Sequence, residues 1–300
     1  MEGKMQARRI FFYLILFIPT VVVAQQNTDE LIFHSQLEEE LLSAYVVEKS
    51  STFDLQLISD ATIDEQTIAQ HSDLVKKWVD EFKSKQAKSK HEKQFLEQLF
   101  YKVHRKVLKN YTPFTSLNTT LTNGNYDCLS GTTLYAILFN GLGVDFDIIE
   151  TNYHIYLRVF LSEEKVILIE STDPINGFID NPVEIKERLA KYVGDNSRSQ
   201  EMKDEYIYKA NLHNNLGLES LPGLHYYNEA VEAFNATNIE DAVALLQKAE
   251  LFYNSERINE FGYVLAQTLL NDGDMPMESK RAYLSRISVV KDSGELVSLN

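Results

Sequence analysis

The pattern of apolar and polar positions divides the chain into helical flanks around a short strand-rich centre. Between residues 28 and 111 the apolar side chains recur at helical spacing. Leu74, Val75, Trp78, Val79 and Phe82 make one stripe, and Phe95, Leu96, Leu99, Phe100, Val103, Val107 and Leu108 make a second. Residues 62–65 (TIDE) and 89–92 (SKHE) have the spacing of a capping box, so they predict the starts of two helices. The lysine-rich run between the stripes reads as a solvated connection. Residues 113–125 are polar and rich in turn formers, which predicts a loop.

A third helical stripe follows: Leu129, Thr133, Leu134, Ile137, Leu138 and Leu142, closed by the glycines of NGLG at Gly141 and Gly143. Periodicity then changes to that of strands over 144–149, 153–161 and 166–171, the second and third joined by a hairpin-like SEEK turn. From about Val183 the pattern is helical again. Residues 226–255 read as two short amphipathic helices with small residues at Ala230, Ala242 and Ala249 and larger packing residues at Ile239 and Leu246. That spacing matches the tetratricopeptide pattern, and residues 261–290 fit a second, more degenerate pair. The predicted fold class is α+β: a helix-rich core with a small antiparallel sheet, then C-terminal helical hairpins.

The first 24 residues change the picture of where the chain works. Lys4, Arg8 and Arg9 precede an apolar run that ends with small residues at Val22 and Ala24. This predicts a signal peptide cut after Ala24, because the run is shorter than the roughly 20 residues that span a bilayer. The expected organisation is leader (1–24), helical segment plus core (25–185), helical linker (186–221) and helical repeats (222–295). The mature chain is expected to be exported, to the periplasm or beyond the cell. The formal net charge is −15. The leader carries Lys4, Arg8 and Arg9 against Glu2, so its loss takes the charge to −17. Such a balance argues against nucleic acid and anionic membrane surfaces as partners, and leaves basic or neutral partners open.

The chain has 1 cysteine, Cys128, and it falls at the first turn of the third stripe. One cysteine makes no internal disulfide, so it is either packing or a working thiol. A helix N-terminus offers free N–H groups and the positive end of the helix dipole, which favour a thiolate. A nucleophilic thiol needs a base. Of the 7 histidines, His154 alone lies on the strands that follow the cysteine helix. The next strand ends in IESTDP, whose Glu170 and Asp173 are both candidates to orient the imidazole. No metal motif and no glycine-rich phosphate loop is present, so no cofactor is expected.

These residues carry a resemblance. The run DCLSGTTLYAILFNGLGV, then NYHIYLRVF, then VILIESTDP resembles the core of the transglutaminase-like superfamily, in which a cysteine opens a helix, a histidine lies on one strand and an acid on the next. The match covers residues 126–174. The helical flanks and the trailing repeats are similar in style to its SirB-type branch. The resemblance implies a papain-like Cys-His-acid triad, with Cys128 as nucleophile, His154 as base and acid, and Glu170 as the orienting group. Glutamate replaces the family's commoner aspartate. It implies thiol-dependent acyl transfer or amide hydrolysis; the alternative is an inactive scaffold that binds a protein or peptide. The backbone N–H of Cys128 is the natural oxyanion donor, with Asn123 or Asn125 as side-chain helpers. The glutamine that several papain-like enzymes carry before the cysteine does not occur among residues 122–127.

The strand register decides the third member. An even-numbered turn at Glu163 and Glu164 puts His154 opposite Asp173, whereas an odd loop or a bulge puts Glu170 on the histidine's face. Asp173 precedes Pro174 at an expected strand end, which favours Glu170.

Overall fold

The two N-terminal stripes form helices α2 (Glu65–Gln86) and α3 (Glu92–Lys106), preceded by α1 (Gln36–Glu48). The computed structural model describes residues 31–49, 52–152, 154–161, 165–194 and 213–288. The expected leader and the tip of the SEEK turn lie outside them. Neither helix starts on the residue that the capping-box spacing selects. Thr62 is bonded to Asp60 instead, and Asp64 caps α2 by accepting from the Thr67 N–H. Ser89 bonds the His91 backbone, leaving His91 as the first residue before α3.

Residues 113–125 are not simply a loop. They hold a short helix, α4 (Leu117–Asn123), capped by Ser116 and ended by Gly124 in the left-handed region (φ 86°). Its apolar content is thin, so stability comes from the cap and from burial of Leu117 and Leu121. Strands β1 (Asn110–Tyr111) and β2 (Asn125–Tyr126) pair in parallel across it. They lead the chain into α5 (Cys128–Leu142). Leu134, Tyr135, Ala136, Leu138 and Phe139 of α5 are fully buried, on several faces of the helix, as expected of one surrounded by other elements.

The sheet is antiparallel throughout, in the order β6 (Phe178–Ile179), β5 (Val166–Ile169), β4 (Ile155–Phe160), β3 (Asp145–Thr151), β7 (His213–Leu216). The fold class is therefore α+β, helix-rich with a small antiparallel sheet. Ile155, Leu157 and Val159 of β4 face the core shared with α2, α3 and α5. Tyr156, with Ile149, Leu168 and Ile179, faces the other way and packs against α6 (Pro182–Gly194). The stretch expected as a helical linker thus begins with a helix that covers the sheet. It ends in β7, an edge strand too polar (HNNL) to be seen from its pattern.

The C-terminal part contains α7 (Leu221–Asn235), α8 (Ile239–Phe252), α9 (Glu256–Asn271) and α10 (Met277–Leu284). Ala230, Ala242 and Ala249 are fully buried between them. The N-terminal helix contributes its buried residues to this core: Leu42 and Tyr45 of α1 pack with Tyr226, Phe252 and Leu246, while Leu37 and Leu41 lie against the core around α5. A buried ion pair, Lys248 Nζ to Glu38 Oε1 at 2.7 Å, ties α8 to α1, and the Tyr226 hydroxyl donates to the same carboxylate. No helix among the described residues is long and apolar enough to cross a membrane.

Candidate active site

The start of α5 is built by Asp127. Its side chain accepts from the Ser130 N–H at 2.7 Å, the Ser130 hydroxyl accepts from the Asp127 N–H at 3.0 Å, and the Leu129 N–H also points at this carboxylate. The Gly131 N–H goes to the Asp127 carbonyl. Of the first N–H groups of the helix, those of Leu129 and Ser130 are taken by the cap. Cys128, half-buried and a free thiol, is the first residue of the helix. Close approach of α5 to the end of β5 needs Gly131: a Cβ there would stand 3.0 Å from Ser171. Ser171 in turn donates to the Cys128 carbonyl at 3.4 Å.

His154 immediately precedes β4. Its Nε2 lies 2.6 Å from Glu170 Oε2, and the Cys128 side chain stands near enough to the ring to bear on its charge. With Nε2 given to the carboxylate, Nδ1 is the nitrogen left for the sulfur. The hairpin register explains why Glu170 is the partner. Phe160 pairs with Val166 and the Leu161 N–H donates to the Lys165 carbonyl, so three residues form the tip. The loop is odd. Leu157 opposes Ile169, the next positions are Tyr156 and Glu170, and by alternation Tyr156 and His154 share a face.

Burial by itself would lower the His154 pKa. The Glu170 charge, the nearness of Cys128 and the hydrogen bond to Glu170 outweigh it and raise the pKa to about 10, which favours the cationic ring. Glu170, 1% exposed, is likewise disfavoured as an anion by burial; His154, Tyr192 and Thr172 more than compensate and hold its pKa below the usual carboxylate range. The Thr172 hydroxyl donates to Oε1 at 2.8 Å, and the Tyr192 hydroxyl, from α6, donates to Oε2. The Tyr192 ring also lies 5.0 Å from the His154 ring, centroid to centroid. The Tyr192 hydroxyl is held protonated by burial and by the adjacent carboxylate.

The other candidates are occupied elsewhere. Asp173 is held by Arg188 of α6 at 3.0 Å and accepts the Asn176 N–H at 2.9 Å, closing the turn after β5, so its carboxylate serves the loop and not the imidazole. Asn123 accepts the Asn125 N–H, and Asn125 pairs with Asn110 across β1 and β2. Each bond uses the side-chain oxygen, so it anchors the asparagine without taking the Nδ2 group that would donate to an oxyanion. Among the described residues no cluster of three or more histidine, cysteine or acidic side chains could hold a metal ion. Sequence reasoning missed Tyr192, which lies 22 residues from its partner on a separate helix; only a polar tip on an otherwise apolar α6 face hinted at it.

No family model matches the chain, and neither curated proteins nor solved structures show a detectable similarity to it.

Proposed function

We propose that this protein is an exported transglutaminase-like thiol enzyme that acts on a carboxamide or peptide carbonyl. In this reading the Cys128 sulfur attacks the carbonyl carbon and a C–S bond forms. The charge that develops on the oxygen meets the Cys128 N–H and the positive end of α5. The C–N bond then breaks, the amine leaves with the proton from His154, and a thioester remains. Water or a second amine attacks the thioester, gives its proton back to His154, and the C–S bond breaks. Glu170 keeps the ring in one orientation and balances its charge throughout, the role of the acid in any such triad.

The observation that carries the reading is the His154 ring bonded to Glu170 at 2.6 Å, with the Cys128 side chain near enough to bear on the ring's charge. A cation beside the sulfur stabilises negative charge there. The α7–α8 pair is read as a TPR-like hairpin that holds the protein or peptide partner, supported by the close packing at Ala230, Ala242 and Ala249.

A second reading is a binding scaffold of the same ancestry with little turnover. The lack of a glutamine among residues 122–127 favours it, since that is the side-chain oxyanion donor that several papain-like enzymes carry before the cysteine. Alkylation by iodoacetamide separates the two. In the folded protein near pH 6, Cys128 should react faster than glutathione, and His154→Ala should slow it. Labelling only after unfolding makes Cys128 a packing residue and ends the enzyme reading.

A further inference from the structure

The segment that presents His154 is a tight turn at the end of β3, and it is gripped from outside the sheet. The Thr151 N–H donates to the His154 carbonyl at 2.7 Å, and the Thr151 hydroxyl donates to the same oxygen at 3.0 Å. Arg257, 107 residues from Glu150 in sequence and near the start of α9, reaches this turn with its side chain 13% exposed. One of its nitrogens, Nη2, donates to the Thr151 carbonyl at 2.6 Å and to the Asn152 carbonyl at 2.8 Å. Its Nε donates to Glu150 Oε1 at 2.7 Å. The second oxygen of Glu150 accepts from the hydroxyl of Tyr253, the residue that ends α8, at 2.6 Å, and Asn214 of β7 donates to that hydroxyl at 2.7 Å. The guanidinium also lies over the Tyr227 ring of α7, 5.5 Å from its centroid.

We propose that Arg257 is a positioning residue for His154, clamping the β3–β4 turn so that the C-terminal helices set the placement of the imidazole between Cys128 and Glu170. The proposal rests on the thiol reading of the site. A charge pair with Glu150 needs only a cation. Three directed donors to one carboxylate and two consecutive carbonyls need a planar fork, which arginine supplies and lysine does not. The carbonyls belong to residues 151 and 152, just ahead of His154 in the chain, so a shift there moves the ring. The α7, α8 and α9 helices all contribute to the grip, through Tyr227, Tyr253 and Arg257. A partner that tilts these helices therefore acts on the thiol site without touching it.

The test uses the full chain and two readouts: the alkylation rate of Cys128 against pH, and the titration of the His154 ring followed by NMR. Arg257→Met leaves Glu150 buried and unpaired, so Glu150→Gln with Arg257→Met is made alongside to restore folding without restoring the clamp. In this folded double variant the His154 titration should move down towards that of a free imidazole, and alkylation near pH 6 should slow about tenfold, as expected of a misplaced reacting group. Arg257→Lys, which keeps the charge, should show most of the same loss. A His154 titration and an alkylation profile unchanged from wild type in the double variant overturn the proposal and reduce Arg257 to charge balance. An Arg257-dependent titration combined with alkylation that ignores His154→Ala keeps the positioning role and overturns the thiol reading instead.

Discussion

His154 and Tyr192 converge on a single oxygen, Oε2 of Glu170, which accepts from both. The imidazole comes from the start of β4 and the phenol from α6, on the face of the sheet opposite α5. The acid is thereby fixed from two sides while its other oxygen is held by Thr172.

Tyr192→Phe removes one donor to a buried carboxylate and keeps the ring packing. It should cost about 1.5–3 kcal/mol of stability, the range for a hydrogen bond to a charged group. Cys128 alkylation should slow a few-fold, by less than in His154→Ala. Urea unfolding and labelling kinetics on the same samples measure both. A variant as stable and as reactive as wild type would show that the phenol is a bystander.

Glu170 and Asp173 should separate cleanly. Glu170→Gln leaves the imidazole without its counter-charge, so labelling should slow and the His154 titration should fall. Asp173→Asn loosens the Arg188 contact, which is about a quarter exposed and worth at most about 1 kcal/mol. Its labelling rate should match wild type. A larger kinetic effect from Asp173→Asn than from Glu170→Gln would contradict the observed register.

The His154–Glu170 pair predicts a pH dependence of stability. The folded pKa of His154 lies above its unfolded value of 6.5, chiefly against burial through Glu170. Above pH 6.5 the folded chain keeps a proton that the unfolded chain has released. The pair's contribution is full below that pH and is lost as pH rises through the folded pKa, on the order of 1 kcal/mol per pH unit. On the acid side Glu170 contributes above the usual carboxylate range and loses that contribution as pH falls through its lowered pKa. The alkaline limb is best read in Cys128→Ser, where the sulfur takes no part and Glu170 still raises the histidine. The stability gap between Cys128→Ser and the same chain with His154→Gln, from urea midpoints, should narrow between pH 6.5 and pH 9. A constant gap would mean that the ring is neutral in the folded protein.

Lys248 and Glu38 form a fully buried pair between the two ends of the chain. Lys248→Met strands the carboxylate and should cost about 3–5 kcal/mol, whereas Glu38→Gln with Lys248→Met should recover most of the loss. Comparable unfolding midpoints for the single and double variants would show that packing of α1, and not charge, fixes this junction.

Local patterns determined much of this protein. The stripes of α2, α3 and α5, the three central strands and the α7–α8 pair each bury a face that repeats with the period of its own element, so they were legible from the chain alone. So was Cys128 at the head of α5, because an aspartate and a serine three residues apart cap a helix without help from elsewhere. Short elements were not. Polar α4 and the edge strand β7 carry too few apolar residues to show a period; α4 forms on its own caps and the burial of Leu117 and Leu121, and β7 on its pairing with β3. The choice of Glu170 over Asp173 turned on whether the β4–β5 loop is odd or even. One residue of slip reverses every side chain, and the turn's own residues left both open.

Tertiary structure decided the long-range relationships. The packing of α1 on the C-terminal helices, the reach of Tyr192 to Glu170 and the grip of Arg257 on the turn before His154 join positions far apart in sequence. No local energy term links such residues. They meet only when two hydrophobic cores have closed around them, and desolvation then makes each charge find a partner.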